Sequence, residues 1–126
     1  MNLHSTIRRI LKEETQEKKI LRFPPLDFFD KDRKVAWNII QKIIERKGNP
    51  PYSIDGDLFL SRTAIKSLGN LQSVGGVLSL ASTPIESLGN LTSVGNNLYL
   101  LRTPLSKKYT EEEIRQMVDV GGEIYL

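Results

Sequence analysis

The 126-residue chain predicts an α/β fold: a short solenoid of parallel strands, capped by N-terminal helices and by a helix before the last strand. Three observations predict it. The stretch SLGNLQSVGGVLSL at residues 67–80 recurs as SLGNLTSVGNNLYL at residues 87–100, an offset of twenty positions. Before residue 50 the apolar residues follow helical spacing, and after it they alternate as in short strands. The turn-forming sequence GNPPY at residues 48–52 separates the two regimes.

Residues 1–50 are expected to form the helical cap and residues 51–126 the repeat. The first helix is expected over residues 3–19, where Leu3, Ile7, Ile10 and Leu11 share one stripe. Glu14 and Lys18 take over that face, so the stripe ends near residue 12 and the helix needs a partner. Pro24 and Pro25 then interrupt the chain. A second helix is expected over residues 31–47, with Asp30 as its cap, Asp32 in its first turn, and Arg46 and Lys47 before Gly48. Val35, Ala36, Ile39, Ile40, Ile43 and Ile44 cover about half its circumference, with Trp37 at the edge, and so wide a stripe must be buried.

The repeat aligns in columns. Ile54, Val74, Val94 and Val120 form one, Leu58, Leu78, Leu98 and Ile124 a second, and Leu60, Leu80, Leu100 and Leu126 a third. Thr63, Thr83 and Thr103 follow, then Ile65, Ile85 and Leu105. Each copy supplies a Leu-x-Leu strand, giving three or four short parallel strands. The last interval is longer because of SKKYTEEEIRQMVDV, in which Thr110 and Glu113 make a capping box for a helix over about residues 110–118. One copy alone buries too little apolar surface to offset the ordering of its backbone, so the copies must stack. The helix over residues 31–47 is placed to cover the first end of the stack, and the helix near residue 110 the other. Leu126 closes the third column, so the final strand is expected to leave an open edge that favours self-association.

These residues resemble a leucine-rich repeat of the short, twenty-residue type. The family pattern L-x-x-L-x-L-x-x-N-x-L is met by GGVLSLASTPI, with Leu78, Leu80 and Ile85 on its later apolar positions. Glycine or Asp55 stands at the first position, and Thr63, Thr83 and Thr103 replace the ladder asparagine. A hydroxyl there is expected to bond a neighbouring backbone less completely than an amide, which alters the family's curvature. The wording of the repeat also resembles small proteins encoded by tailed bacteriophages and marine bacteria. The resemblance implies binding of a protein partner through the strand-lined face, in the host cytoplasm or in a virion. For a phage head protein it further implies trimming after a Leu/Ile-x-Glu tripeptide. Leu11-Lys12-Glu13 fits, which would remove residues 1–13, and Ile43-Ile44-Glu45 fits as well.

Between the inward leucines of each strand one side chain must face outward. That column reads Phe59, Ser79, Tyr99 and Tyr125, followed along the chain by Ser61, Ala81 and Leu101, then Arg62, Ser82 and Arg102. Aromatic rings flanked by arginine are the composition of an interface anchor. Phe59, Tyr99 and Tyr125 are therefore the expected partner-binding anchors, with Arg62 and Arg102 as polar contacts, and Ser79, Ala81 and Ser82 as a shallow notch. The competing explanation is strand propensity, with rings stacking across rungs.

Catalytic chemistry is not expected. The chain has no cysteine, and His4 is its one histidine, so neither a thiolate nor an imidazole metal cluster is available. Glu111–Glu113 reads as a helix start, and Asp55-Gly56-Asp57 lacks the further oxygen ligands of a calcium loop. The glycine pairs at 75–76 and 121–122 precede strands rather than helices, the wrong context for a phosphate cradle. No cofactor is expected. Net charge is +3, but residues 1–50 hold 12 basic and 7 acidic side chains, a balance of +5, while residues 51–126 hold 6 and 8, a balance of −2. The alternative function is therefore nucleic-acid binding by Arg8, Arg9, Lys12, Lys18 and Lys19, extended by Arg22, Lys31, Arg33 and Lys34. Glu13, Glu14 and Glu17 offset part of that field. No apolar run approaches the roughly 20 residues of a membrane span, and residues 1–20 lack the apolar core of a secretory signal, so a cytoplasmic location is expected.

Overall fold

The structure is a computed structural model and describes residues 20–126; the helix expected over residues 3–19 lies outside them. Each copy of the repeat makes two strands rather than one. In Ser67-Leu68-Gly69-Asn70, the Ser67 hydroxyl accepts from the Gly69 N–H at 3.0 Å, and Ser87 accepts from Gly89 at 2.9 Å. Gly69 and Gly89 hold the left-handed φ values of 62° and 58° that this turn requires. The chain then enters a first strand, bends at a glycine corner, and enters a second.

The first strands stack in one parallel sheet. Strands β2 (Tyr52–Ile54), β4 (Leu71–Val74), β6 (Ser93–Val94) and β8 (Asp119–Val120) follow β1 (Leu21–Phe23), in the order β1-β2-β4-β6-β8. The second strands, β3 (Leu58–Phe59), β5 (Leu78–Ser79), β7 (Leu98–Tyr99) and β9 (Ile124–Tyr125), form a second parallel sheet in the order β3-β5-β7-β9. The expectation of a single strand per copy is corrected by the corner at Gly75-Gly76, which turns the Val74 column out of the plane of the Leu78 column. Strand β1 is a further correction. Within the region expected to be helical, Leu21–Phe23 pairs with β2 in register, and the Asp55 N–H donates to the Phe23 carbonyl at 2.7 Å.

Apolar side chains of both sheets meet inside. Ile54, Val74, Val94 and Val120 face Leu58, Leu78, Leu98 and Ile124, with Leu60, Leu80, Leu100, Leu68 and Leu71 completing the interior. Leu126 departs from its column and is 37% exposed, because β9 has no neighbour on its far side among the described residues. At the corner the coils approach so closely that only glycine fits. A Cβ on Gly95 would land on the carbonyl oxygen of Gly75, and one on Gly121 on that of Gly95. Space, not φ, imposes glycine there, since neither has a positive φ.

Helix α1 (Arg33–Arg46) covers the first end. Its cap is Asp32, not Asp30: Asp32 Oδ1 accepts from the Lys34 N–H at 2.9 Å, while Asp30 Oδ1 accepts from Asp32. Ala36, Ile40 and Ile44 are buried, Trp37 and Ile43 half-buried, and Val35 exposed, so the buried stripe is narrower than expected. Helix α2 (Pro104–Lys108) was not expected. Thr103 caps it and Pro104 opens it, whereas the matching Thr83-Pro84-Ile85 stays irregular because its copy lacks the six extra residues. Helix α3 (Glu111–Met117) starts on the reciprocal pair of Thr110 and Glu113, at 3.2 and 2.9 Å. No helix among the described residues is long and apolar enough to cross a membrane.

Tyr52 joins α1 to both the strands and the repeat. It is fully buried, its ring meets Phe23 edge-on and Trp37 at a tilt, and its hydroxyl donates to the Leu68 carbonyl at 2.7 Å and accepts from Gln41 Nε2 at 3.2 Å. Burial pushes its phenol up from 10.0 to about 12, against a smaller opposing effect of the Gln41 hydrogen bond. A folded value above the unfolded one stabilises fully below pH 10, and that contribution of about 3 kcal/mol is lost as pH rises through 12. Tyr52→Phe leaves the Leu68 carbonyl and Gln41 without their partner, an expected loss of about 1–3 kcal/mol in urea unfolding at pH 7. Its stability should also fall less steeply than the parent's between pH 10 and 12. A parent and variant with equal slopes would contradict the assignment. Gly95→Ala should lower stability by about 1–3 kcal/mol or more through overpacking against the Gly75 carbonyl, whereas Asn96→Ala, on the exposed side of the same corner, should not.

Candidate functional site

The outward face of the β3-β5-β7-β9 sheet is set by register. Phe59 pairs with Ser79, Ser79 with Tyr99, and Tyr99 with Tyr125, so the four side chains form one line across the strands. Phe59 is 43% exposed, Tyr125 is 40% exposed, and Tyr99 is half-buried. The Tyr99 and Tyr125 rings stack 4.7 Å apart at an interplanar angle of 7°. That separation is the spacing of adjacent strands, about 4.7–4.9 Å, so the ladder itself dictates the stack. Asn97 Nδ2 donates to the Tyr99 hydroxyl at 3.3 Å and fixes the ring's tip. Leu101, exposed, extends the apolar surface. Ser79, on the rung between Phe59 and Tyr99, is buried.

Below this line, side chains just before β3 and β7 pin the next coil. Asp57 Oδ1 accepts from the Val77 N–H, and Asn97 Oδ1 from the Glu123 N–H, both at 2.8 Å. Above it, β3, β5 and β7 are each followed three positions on by a left-handed residue: Arg62 at φ 62°, Ser82 at 59° and Arg102 at 58°. The threonine that follows closes the turn on its own coil. Thr63, Thr83 and Thr103 donate to the carbonyls of Leu60, Leu80 and Leu100 at 2.6, 2.7 and 2.6 Å. Each hydroxyl thus bonds a nearby backbone carbonyl of its own coil, whereas the Thr92 hydroxyl donates across to the Gln72 carbonyl of the preceding coil at 2.9 Å. An asparagine ladder exists elsewhere, where Asn90 Nδ2 donates to Asn70 Oδ1 and Asn70 Nδ2 to the Asn49 carbonyl.

Two arginines that the sequence did not mark for this role finish the ends. Arg33 of α1 donates to the Phe59 carbonyl at 3.3 Å and the Ser61 hydroxyl at 3.4 Å, along the outer edge of β3. Arg115 of α3 donates to the carbonyls of Val120 and Gly122 at 3.2 and 2.9 Å, beside β8, and pairs with Glu111 at 3.1 Å. Arg33 was grouped with the phosphate-binding candidates, but its guanidinium is engaged with the sheet. Arg22 is engaged with Asp55 at 3.0 Å. Arg8, Arg9, Lys12, Lys18 and Lys19 lie outside the described residues. Beside Phe59, a cleft of ≈ 430 Å³ opens between the strand edge and a 3-10 turn at Leu26–Phe28, lined by Pro25, Leu26, Asp27, Arg33 and Asp57 among others. Phe28, 74% exposed, stands on that turn and was not singled out in the sequence, where it reads as part of a proline-broken segment.

Among the described residues no group of three His, Cys, Asp or Glu side chains is placed to hold a metal ion. What this face offers chemically is flat apolar rings and guanidinium donors. Comparison with family models, with curated proteins and with solved structures finds no match.

Proposed function

We propose that this chain is a non-catalytic protein-binding module, a short leucine-rich-repeat-like solenoid that receives its partner on the outward face of the β3-β5-β7-β9 sheet. One observation carries the reading: Phe59 and Tyr125 leave much of their ring area open to solvent on a single line of side chains, with Tyr99 stacked between Tyr125 and the next rung. Rings held this way cost little entropy to bind, because the ladder has already ordered them. The twenty-residue register supports the repeat reading, in which every coil contacts mainly its neighbours. The likeness of the repeat to small phage-encoded proteins points the search for a partner to host-cell and virion proteins.

Phe59→Ser combined with Tyr99→Ser is expected to abolish capture of a partner from cell extract while leaving the far-UV circular dichroism spectrum intact. Loss of two anchors of this kind should weaken binding by on the order of 1000-fold, at about 2 kcal/mol per anchor. Undiminished capture by a folded double variant would refute the proposal.

A further inference from the structure

We infer that the partner presents an acidic, extended segment of polyproline-II form, which crosses the rungs of the second sheet with carboxylates three residues apart on Arg62 and Arg102. This rests on the proposed use of the same face.

Arg62 and Arg102 occupy the same position of the repeat, two coils apart, with Ser82 between them. All three are left-handed, so the turn demands that conformation whatever its side chain. Glycine and asparagine adopt it readily; arginine gains nothing from it locally. A residue type that local backbone preference does not select, at two of three equivalent sites, points to a use for the side chain. Both arginines are exposed, and neither makes a side-chain hydrogen bond or an ion pair among the described residues. Arg22, Arg33 and Arg115 do, whereas Arg46 at the end of α1 does not. Among the described residues the guanidiniums of Arg62 and Arg102 therefore have donors without acceptors, on turns three positions along the chain from Phe59 and Tyr99.

Spacing selects the form of the ligand. Two rungs of a parallel sheet span about 9.5 Å. A polyproline-II segment rises about 3.1 Å per residue with three residues per turn, so positions i and i+3 face the same way about 9.3 Å apart. A β-strand places same-face residues about 6.6 or 13 Å apart, which misses that span. Prolyl rings between the carboxylates would lie toward Phe59 and Tyr99, and a prolyl ring beyond the second carboxylate toward Tyr125, the kind of aromatic surface on which such segments dock. Ser82 is short enough to let the segment pass. Asp57 and Glu123 stand at the opposite ends of their strands, so acidic groups are repelled there and the carboxylates are directed to the arginine rim.

The test uses the full chain and fluorescein-labelled synthetic peptides read by anisotropy. PPEPPEPP should bind, and both PPEEPPPP, with the same composition but the wrong spacing, and PPKPPKPP should bind about tenfold more weakly or worse. Arg62→Asn with Arg102→Asn should reduce PPEPPEPP binding about tenfold or more, yet leave the thermal midpoint unchanged or raised, because asparagine suits the left-handed turn. The inference is overturned if PPEPPEPP does not bind, if either control peptide matches it, if the double asparagine variant binds it equally, or if that variant melts lower. Were partner capture still to depend on Phe59 and Tyr99 in that event, the binding face would stand and only the ligand assigned to it would fall.

Discussion

Backbone hydrogen bonds between equivalent positions of successive coils hold this molecule in register, and every other feature is arranged around them. In the first sheet each coil donates back to the one before: Gly75 to Ile54, Gly95 to Val74, and Gly121 to Val94, all at 2.8–2.9 Å. Bonds also run forward, from Tyr52 to Asn70 in the first sheet and from Leu58 to Val77, Leu78 to Asn97 and Leu98 to Glu123 in the second. A coil is thus tied to its neighbours by both donors and acceptors, and buried backbone groups have little other choice. The glycine corner exists because such ties bring backbone against backbone.

A ladder that satisfies its interior leaves its ends exposed, and unpaired strand edges invite wrong partners. Here a helix near each end supplies an arginine to an edge carbonyl, Arg33 to Phe59 and Arg115 to Val120. The long guanidinium side chains reach across the groove that a helix must leave beside a strand. Tyr52 then locks the first helix to the stack from within. The outward face of the second sheet carries the line of Phe59, Ser79, Tyr99 and Tyr125, so the same backbone that builds the core also spaces the side chains exposed on it.

Much of this could be read from residue spacing. The inward columns through Val74, Leu78 and Leu80 follow from the repeat, and the Thr110–Glu113 cap follows from a local pattern of two side chains. The outward line through Phe59, Tyr99 and Tyr125 needs only the alternation of a strand. What spacing hid is long-range or steric. Val74 and Leu78 look like one alternating strand, since nothing in the letters says that Gly75-Gly76 is a corner. Leu21–Phe23 becomes a strand only because Tyr52–Ile54 offers it an edge. Ser79 is buried, which a single strand cannot reveal, and arginine at positions 62 and 102 gives no hint of left-handed backbone.

If the coil-to-coil register is the governing constraint, adding one whole coil must suit the fold and adding half of one must not. The direct measurement is thermal and urea unfolding after inserting a second copy of residues 74–93 behind Ser93, compared with inserting residues 84–93 alone at the same place. The whole-coil insertion should keep one cooperative transition with a raised midpoint, since it adds a coil and an interface, while the ten-residue insertion should lower the midpoint or abolish the transition. Equal midpoints for the two insertions, or a lower one for the whole coil, would contradict it.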